Sequence, residues 1–225
     1  MVGDRRSVIE SVALELLDSG GPAALTTRAV CAGAGVQPMT IYRLYGDMEG
    51  LMTAAVRRGY DAYIRAKTDR ERHEDPVEDL RSGWDLHVGF GLAHPHVYAQ
   101  IYGRYAPDQE NPAADAAAAI LRSLLERAAR HGRLTRNVET AAHIIHSAGC
   151  GFTLSQMRVP AADRDPGLST VAREAALAAV TTDGATAGSP VRTAAVALAA
   201  AIDEGDPRFS AGERLLLTEW LARLS

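Results

Sequence analysis

Leu25–Leu51 reads LTTRAVCAGAGVQPMTIYRLYGDMEGL, and the fold class of the chain turns on this stretch. Thr26 or Thr27 supplies a hydroxyl that can cap a helix running through Arg28 to about Ala34. Gly35 stands where that helix must end, because glycine accepts the left-handed backbone such endings use. Val36 follows as a buried pivot. A second short helix is expected from about Pro38 to Leu44, with Pro38 in the first turn, where a missing N–H costs nothing. Ile41 and Leu44, three apart, face inward and leave Gln37, Met39, Thr40 and Arg43 pointing outward. Asp47 then caps a further helix. A helix, a glycine turn and a short helix with polar outward residues make a helix-turn-helix, whose second helix enters the DNA major groove.

Upstream, Asp4 to Ser19 reads as an amphipathic helix with paired stripes, Val8, Val12 and Leu16 beside Ile9, Ala13 and Leu17. Gly20-Gly21-Pro22 stops it. Downstream, the helix capped by Asp47 is expected to continue through Leu51, Ala55 and Ala62 to about Thr68. The charged run RERHED (Arg70 to Asp75) marks a domain boundary, dividing residues 1–68 from residues 76–225. Beyond it the pattern is helical without a strand signal: Val77 to Ala93, Pro95 to Tyr105, Ala113 to His131, Asn137 to Arg158, Leu168 to Thr181, Val191 to Ile202 and Ala211 to Leu224. Loops are expected at Pro107 to Pro112, Pro160 to Gly167 and Thr182 to Ser189. The fold class is all-α, a three-helix head with a helix-turn-helix on a larger helical body.

Composition narrows the function classes. Apolar residues make up 47% of the 225, but Pro, Gly and polar residues interrupt every run short of a membrane span, so no membrane partner is expected. The start, MVGDRRSVIE, has no apolar signal core, which points to a cytoplasmic protein. Cys31 and Cys150 lie far apart and read as reduced thiols. Residues 1–68 carry 8 basic and 7 acidic side chains, against 16 and 21 in the rest, a weak asymmetry for a nucleic-acid-binding head. Placement says more than the count. Arg5 and Arg6 precede the first helix, and Arg28 and Arg43 bracket the helix-turn-helix.

The first sixty residues resemble the DNA-binding domain of the TetR family of bacterial transcriptional regulators. The resemblance rests on Leu25-Thr26-Thr27-Arg28, Ala34-Gly35-Val36, Thr40-Ile41-Tyr42, Tyr45-Gly46-Asp47 and Leu51, in that order. It implies that Arg28, Gln37, Pro38, Met39, Thr40 and Arg43 face bases. Gln37 suits an adenine edge, the arginines suit guanine O6 and N7, and Met39 offers only apolar contact, as to a thymine methyl. Thr26, Thr27 and Tyr42 are placed to hold phosphates through their hydroxyls. Where the family carries a phosphate-binding lysine, this chain has Met48, although the helix N-terminus there still offers amides. The resemblance further implies a double-stranded operator, a homodimer, a small-molecule inducer and a repressor's role, although the same head serves an activator equally well. Leu168 to Thr181 and Val191 to Ile202 are the expected dimer helices.

An inducer pocket is expected in the body. Trp84, His87, Phe90, Tyr98 and Tyr102 are spaced to line a cavity from two adjacent helices, with His143, His146, Cys150 and Phe152 from another. Core filling is the competing role for each aromatic. His143, His146 and Cys150, with His94 and His96 nearby, raise metal sensing, but no Cys-x-x-Cys or acidic cluster completes a site, so no metal or other cofactor is expected. No Gly-x-Ser-x-Gly, phosphate loop or His-Glu-x-x-His appears, so an enzyme is not expected. The alternative readings are a helical small-molecule-binding protein or enzyme with a degenerate head, and a protein-binding adaptor.

Overall fold

The computed structural model describes residues 2–103, 111–182, 190–202 and 209–224. Among these the chain is helical, and one isolated antiparallel bridge, Leu134 to Thr181, is the only extended pairing. The elements are α1 (Val2–Gly20), a 3₁₀ turn (Pro22–Ala24), α2 (Thr27–Ala34), α3 (Pro38–Tyr45), α4 (Met48–Thr68), α5 (Pro76–Ala93) and α6 (Pro95–Tyr102). Then follow α7 (Pro112–Arg130), α8 (Val138–Met157), a 3₁₀ turn (Ala161–Asp163), α9 (Pro166–Ala178), α10 (Pro190–Ala201) and α11 (Ala211–Leu224). Most expected helices shift by only one to three residues at their ends. The stretches expected as loops at 107–112 and 182–189 lie almost wholly outside the described residues, as does Tyr105.

Local chemistry accounts for the boundaries. Thr26 rather than Thr27 is the cap of α2, its Oγ1 accepting from the Ala29 amide at 3.2 Å. Gly35 ends α2 at φ 63°, and the Val36 amide donates back to the Cys31 carbonyl. Asp47 Oδ1 accepts from the Gly50 amide at 2.7 Å, and Asn137 Oδ1 from Thr140 at 2.8 Å. Before α11, Ser210 Oγ accepts from the Glu213 amide while the Glu213 carboxylate accepts from the Ser210 amide, a reciprocal capping box.

Contacts divide the chain into two compact units, Met1–Asp69 with Gly89–Ala116, and Arg70–Val88 with Ala117–Ser225. In the first, Ile9, Ala13, Leu25, Val30, Ile41, Leu51 and Ala55 form a buried core, with Val36, Leu44, Tyr45 and Met48 packed at its edge. At about 25 cal/mol per Å², this burial holds α2 and α3, of 8 residues each and too short to be stable alone, against α1 and α4. Gly33 lets α2 pack tightly on α1: a Cβ there would meet Val12 Cγ1 at 2.6 Å. Three expectations need correcting. Of the two stripes on α1, Ile9, Ala13 and Leu17 are fully buried while Val8 is exposed. On α4 the inward stripe passes through Tyr60 and Tyr63, and Ala62 is exposed. Alternate stripes on one helix have similar apolarity, so the neighbouring helices decide which is buried. Val36 is half-buried at the core edge instead of fully enclosed.

Arginines supply much of the cross-linking in the second unit. Arg81 is held between Glu78 and Glu174, and Arg173 binds Asp85 and Glu174, so two ion pairs, Arg81–Glu174 and Arg173–Asp85, join α5 to α9. Arg127 on α7 reaches Asp79 at 2.5 Å, and Arg133 bonds Asp75 at 2.8 Å and the Thr182 carbonyl at 2.7 Å. The apolar part of this unit draws on Leu80, Leu124, Leu125, Leu134, Ile145, Leu177 and Val180, with alanines between them.

Candidate nucleic-acid interface

With Ile41 fully buried and Leu44 and Tyr45 packed at the core edge, the helical period turns Pro38, Met39, Tyr42 and Arg43 outward. Gln37 is the N-cap residue, yet its side chain makes no capping bond, so its amide stays free. Pro38 fills the first helical position. Met39 is 74% exposed, Arg43 is exposed in the last turn, and Thr40 is half-buried beside them. From α2, Thr26 and Arg28 are exposed and Thr27 is half-buried. Among the described residues, no hydrogen bond, ion pair or ring contact engages the side chains of Arg28, Gln37, Met39, Thr40 or Arg43. Tyr42 differs: its hydroxyl lies 3.5 Å from Thr27 Oγ1, which ties α3 to α2 and places two of the expected phosphate-holding hydroxyls side by side.

Arg6, Glu10 and Tyr45 carry an arrangement that motif reading missed. Arg6 Nη2 donates to the Leu44 carbonyl at 2.8 Å, closing the C-terminal end of α3, while its guanidinium lies 5.4 Å from the Tyr45 ring centroid. The Tyr45 hydroxyl donates to the Arg6 carbonyl at 3.3 Å, with Glu10 Oε1 at 3.4 Å. Burial first, then the Glu10 charge, push the Tyr45 phenol up to about 12, so it stays protonated at neutral pH. Arg6 therefore orients the outward helix, and exposed Arg5 is the freer of the two cations. A pair nearly forty residues apart leaves no local signature, which is why the sequence did not reveal it.

The start of α4 departs from the expected phosphate site. Met48 is half-buried against the head core, so its thioether packs inward. The Gly50 amide is already taken by the Asp47 carboxylate, whose negative charge sits at the same helix end. Fewer amides remain for a phosphate than the bare N-terminus suggested.

The residues expected to bind a small molecule fall into two sets. In the first unit Phe90, Tyr98 and Tyr102 join Tyr60 and Tyr63: Tyr63 stacks on Phe90 with centroids 4.5 Å apart, and the Tyr60 and Tyr102 hydroxyls lie 3.0 Å apart. The second unit gathers Trp84, His87, His146, Cys150 and Phe152. Cys150 Sγ lies 3.7 Å from His87 Nε2 and 3.6 Å from His146 Nε2, and the Trp84 indole N–H donates to Ser169 Oγ at 3.2 Å. Trp84 and Tyr98 are buried, and His143 is exposed on α8. Tyr60 and Tyr63 were missed because their helix was read through Ala62. As for metal sensing, His94 Nδ1 pairs with Asp18 Oδ2 at 2.8 Å and the His96 ring lies against Gly21. Among the described residues no three His, Cys, Asp or Glu side chains are grouped to hold an ion. No described helix is long and apolar enough to cross a membrane.

Residues 9–55 match the model of the bacterial regulatory proteins of the tetR family. No curated protein matches the chain in sequence. Among solved structures, a putative tetR family transcription regulator from Shewanella sp. PV-4 is 18% identical, with 79% of this chain and 98% of that one covered and a TM-score of 0.60. A putative regulator of the same family from Vibrio parahaemolyticus is 20% identical, covering 80% of this chain and all of its own, again at 0.60. The ketosteroid transcriptional regulator KstR2 of Mycobacterium tuberculosis is 18% identical over 81% of this chain and 98% of its own, at 0.51. At such identity these likenesses are of fold. The family model lies on the helix-turn-helix itself and makes residues 9–55 a DNA-binding domain of the tetR type.

Proposed function

We propose that this regulator binds a palindromic double-stranded operator as a homodimer, acts as a repressor in the cytoplasm, and is released when a small molecule occupies its body. The observation that carries the reading is the row of outward side chains on α2 and α3, Arg28, Gln37, Met39, Thr40 and Arg43, which make no hydrogen bond, ion pair or ring contact within the described chain. Side chains held for intramolecular packing would be buried or paired. Residues 1–68 serve as the DNA-reading domain, with Thr26, Thr27 and Tyr42 on phosphates and Pro38 shaping the entry of α3 into the groove.

One such helix reads too few base pairs for a unique site, so two copies are needed, with half-sites about 34–36 Å apart or a multiple of that spacing. Residues 76–225 supply the pairing surface. Support comes from large apolar side chains left exposed on α9 (Leu168, Val171), α10 (Val191, Leu198) and α11 (Leu215, Trp220). The small-molecule site is the set around Trp84 in the second unit, where His87, His146 and Cys150 bring polar groups together beside Trp84 and Phe152. Release is a shift between two states of the dimer, and the ligand moves it only by its difference in affinity for them. The body holds its ligand without turning it over.

The test is selection of genomic fragments by the purified protein at a stated salt concentration, followed by footprinting. A palindromic motif protected by the wild type and lost with Tyr42→Ala or Arg28→Ala carries the reading, with light scattering giving the mass of a dimer on DNA. Salt-sensitive binding that favours no sequence sinks it and leaves the body as the place to look for function.

A further inference from the structure

We infer that Met39 reads the 5-methyl group of a thymine in each half-site, an inference that rests on the DNA-binding reading above. Of the large apolar side chains described in the first unit, Met39 is by far the most exposed, at 74% against 44% for Tyr42 and 43% for Val8. The same residue type is used differently elsewhere in the unit: Met48 and Met52 pack against the head core. Met39 is the second residue of α3, directly after Pro38, at the end of the helix that leads into the groove. Its neighbours on that surface, Gln37, Thr40 and Arg43, are all hydrogen-bonding groups. A thioether donates no hydrogen bond and accepts only weakly, so it gains nothing from the donor and acceptor edges of the bases. The thymine methyl is the apolar group that the four bases present in the major groove. Methionine suits it, being unbranched, polarizable and able to adjust to a contact whose position varies with the DNA.

The consequence is a half-site in which one thymine is required for its methyl, independent of its hydrogen-bonding edge. Deoxyuridine keeps that edge and removes the methyl, so it isolates the contact. Operator duplexes recovered by selection are synthesised with each half-site thymine replaced in turn by deoxyuridine, symmetrically, and titrated at fixed salt. At one position the wild type is expected to lose about fourfold in affinity per half-site, about sixteenfold for both, the effect of one buried methyl group. Met39→Ala loses a similar factor on the thymine duplex and is then indifferent to the uracil, while Met39→Leu keeps most of the sensitivity. A flat uracil series with sequence-selective binding intact overturns this inference alone, as does an unchanged uracil penalty in Met39→Ala. Absence of any sequence-selective binding overturns it together with the reading it rests on.

Discussion

The two units are held by different chemistry. The first unit rests on contiguous apolar burial, with Ile9, Ala13, Val30, Ile41, Leu51 and Ala55 fully buried around its helix-turn-helix. In the second, many buried positions are alanine, and arginine–carboxylate pairs join α5 to α9 and α7. Alanine buries little area, so packing alone specifies how such helices slide past one another only loosely. Directional pairs such as Arg81–Glu174 and Arg173–Asp85 contribute little stability where solvent reaches them, but they define register. The head is thus a platform that presents side chains, and the second unit is a set of helices indexed by charge.

The largest effect should come from Asp79, which is nearly buried and accepts from Arg127 and from the His73 amide, so that its removal leaves the half-buried Arg127 guanidinium without a carboxylate. Asp79→Ala should cost about 3–5 kcal/mol in denaturant unfolding. Both tryptophans, Trp84 and Trp220, lie in the second unit and report its melting. A loss under about 1 kcal/mol would mean that its register is set by packing after all.

Ile41→Ala tests the other side. A fully buried isoleucine truncated in a closed core should cost about 2–5 kcal/mol, seen in tyrosine fluorescence of the first unit, with operator affinity collapsing alongside. Retained stability would show that the head leans on the Arg6–Tyr45 contacts more than on its core. Removing the α2 cap is gentler: Thr26→Ala should cost about 1 kcal/mol, with Thr26→Ser close to neutral.

Titration should separate the units by about 0.2–1 kcal/mol per exposed pair. Hydrogen bonds from Arg81 first, then Arg173, hold the Glu174 carboxyl below the ordinary glutamate range. At Asp75 burial acts upward, but the Val77 amide and Arg133 outweigh it and the carboxyl is again lowered. These contributions are present above the unfolded pKa, about 4, and are lost as pH falls through the lowered values. Tyr45 works in reverse. Its stabilisation is complete below the unfolded value of about 10 and is lost as pH rises towards about 12. Acid should weaken the tryptophan-reporting unit first, and alkali the head. Arg81→Met should flatten the acid limb and Tyr45→Phe the alkaline one; matching pH profiles for both units would erase the contrast.

Met48→Lys should leave folding nearly untouched, since a lysine stem can cover the same core edge with its ammonium in water. Its effect should appear in the salt dependence of operator binding, steeper by about one unit per subunit. An unchanged slope would place that helix end away from the phosphates.

Residues 25–51 were legible almost to the residue. The Thr26 cap, the Gly35 turn, Pro38 at the head of α3, the inward Ile41 and the Asp47 cap all depend on atoms within four residues of one another. Legibility failed wherever two local answers were equally good. Two stripes on α1 were apolar enough to be core, and only Ile9, Ala13 and Leu17 were chosen. On α4 the choice fell on Tyr60 and Tyr63 because aromatic partners from α5 and α6 meet them there.

The chain by itself therefore determined its helices, its turns and the row of outward side chains on α2 and α3, because caps and the helical period are set by near neighbours in sequence. Tertiary structure decided which stripe is buried, that Arg6 closes α3, that Met48 turns inward, and how the aromatic residues are grouped. These depend on which surfaces meet across dozens of residues. Burial and long-range hydrogen bonding are properties of that meeting, and no window of sequence contains it.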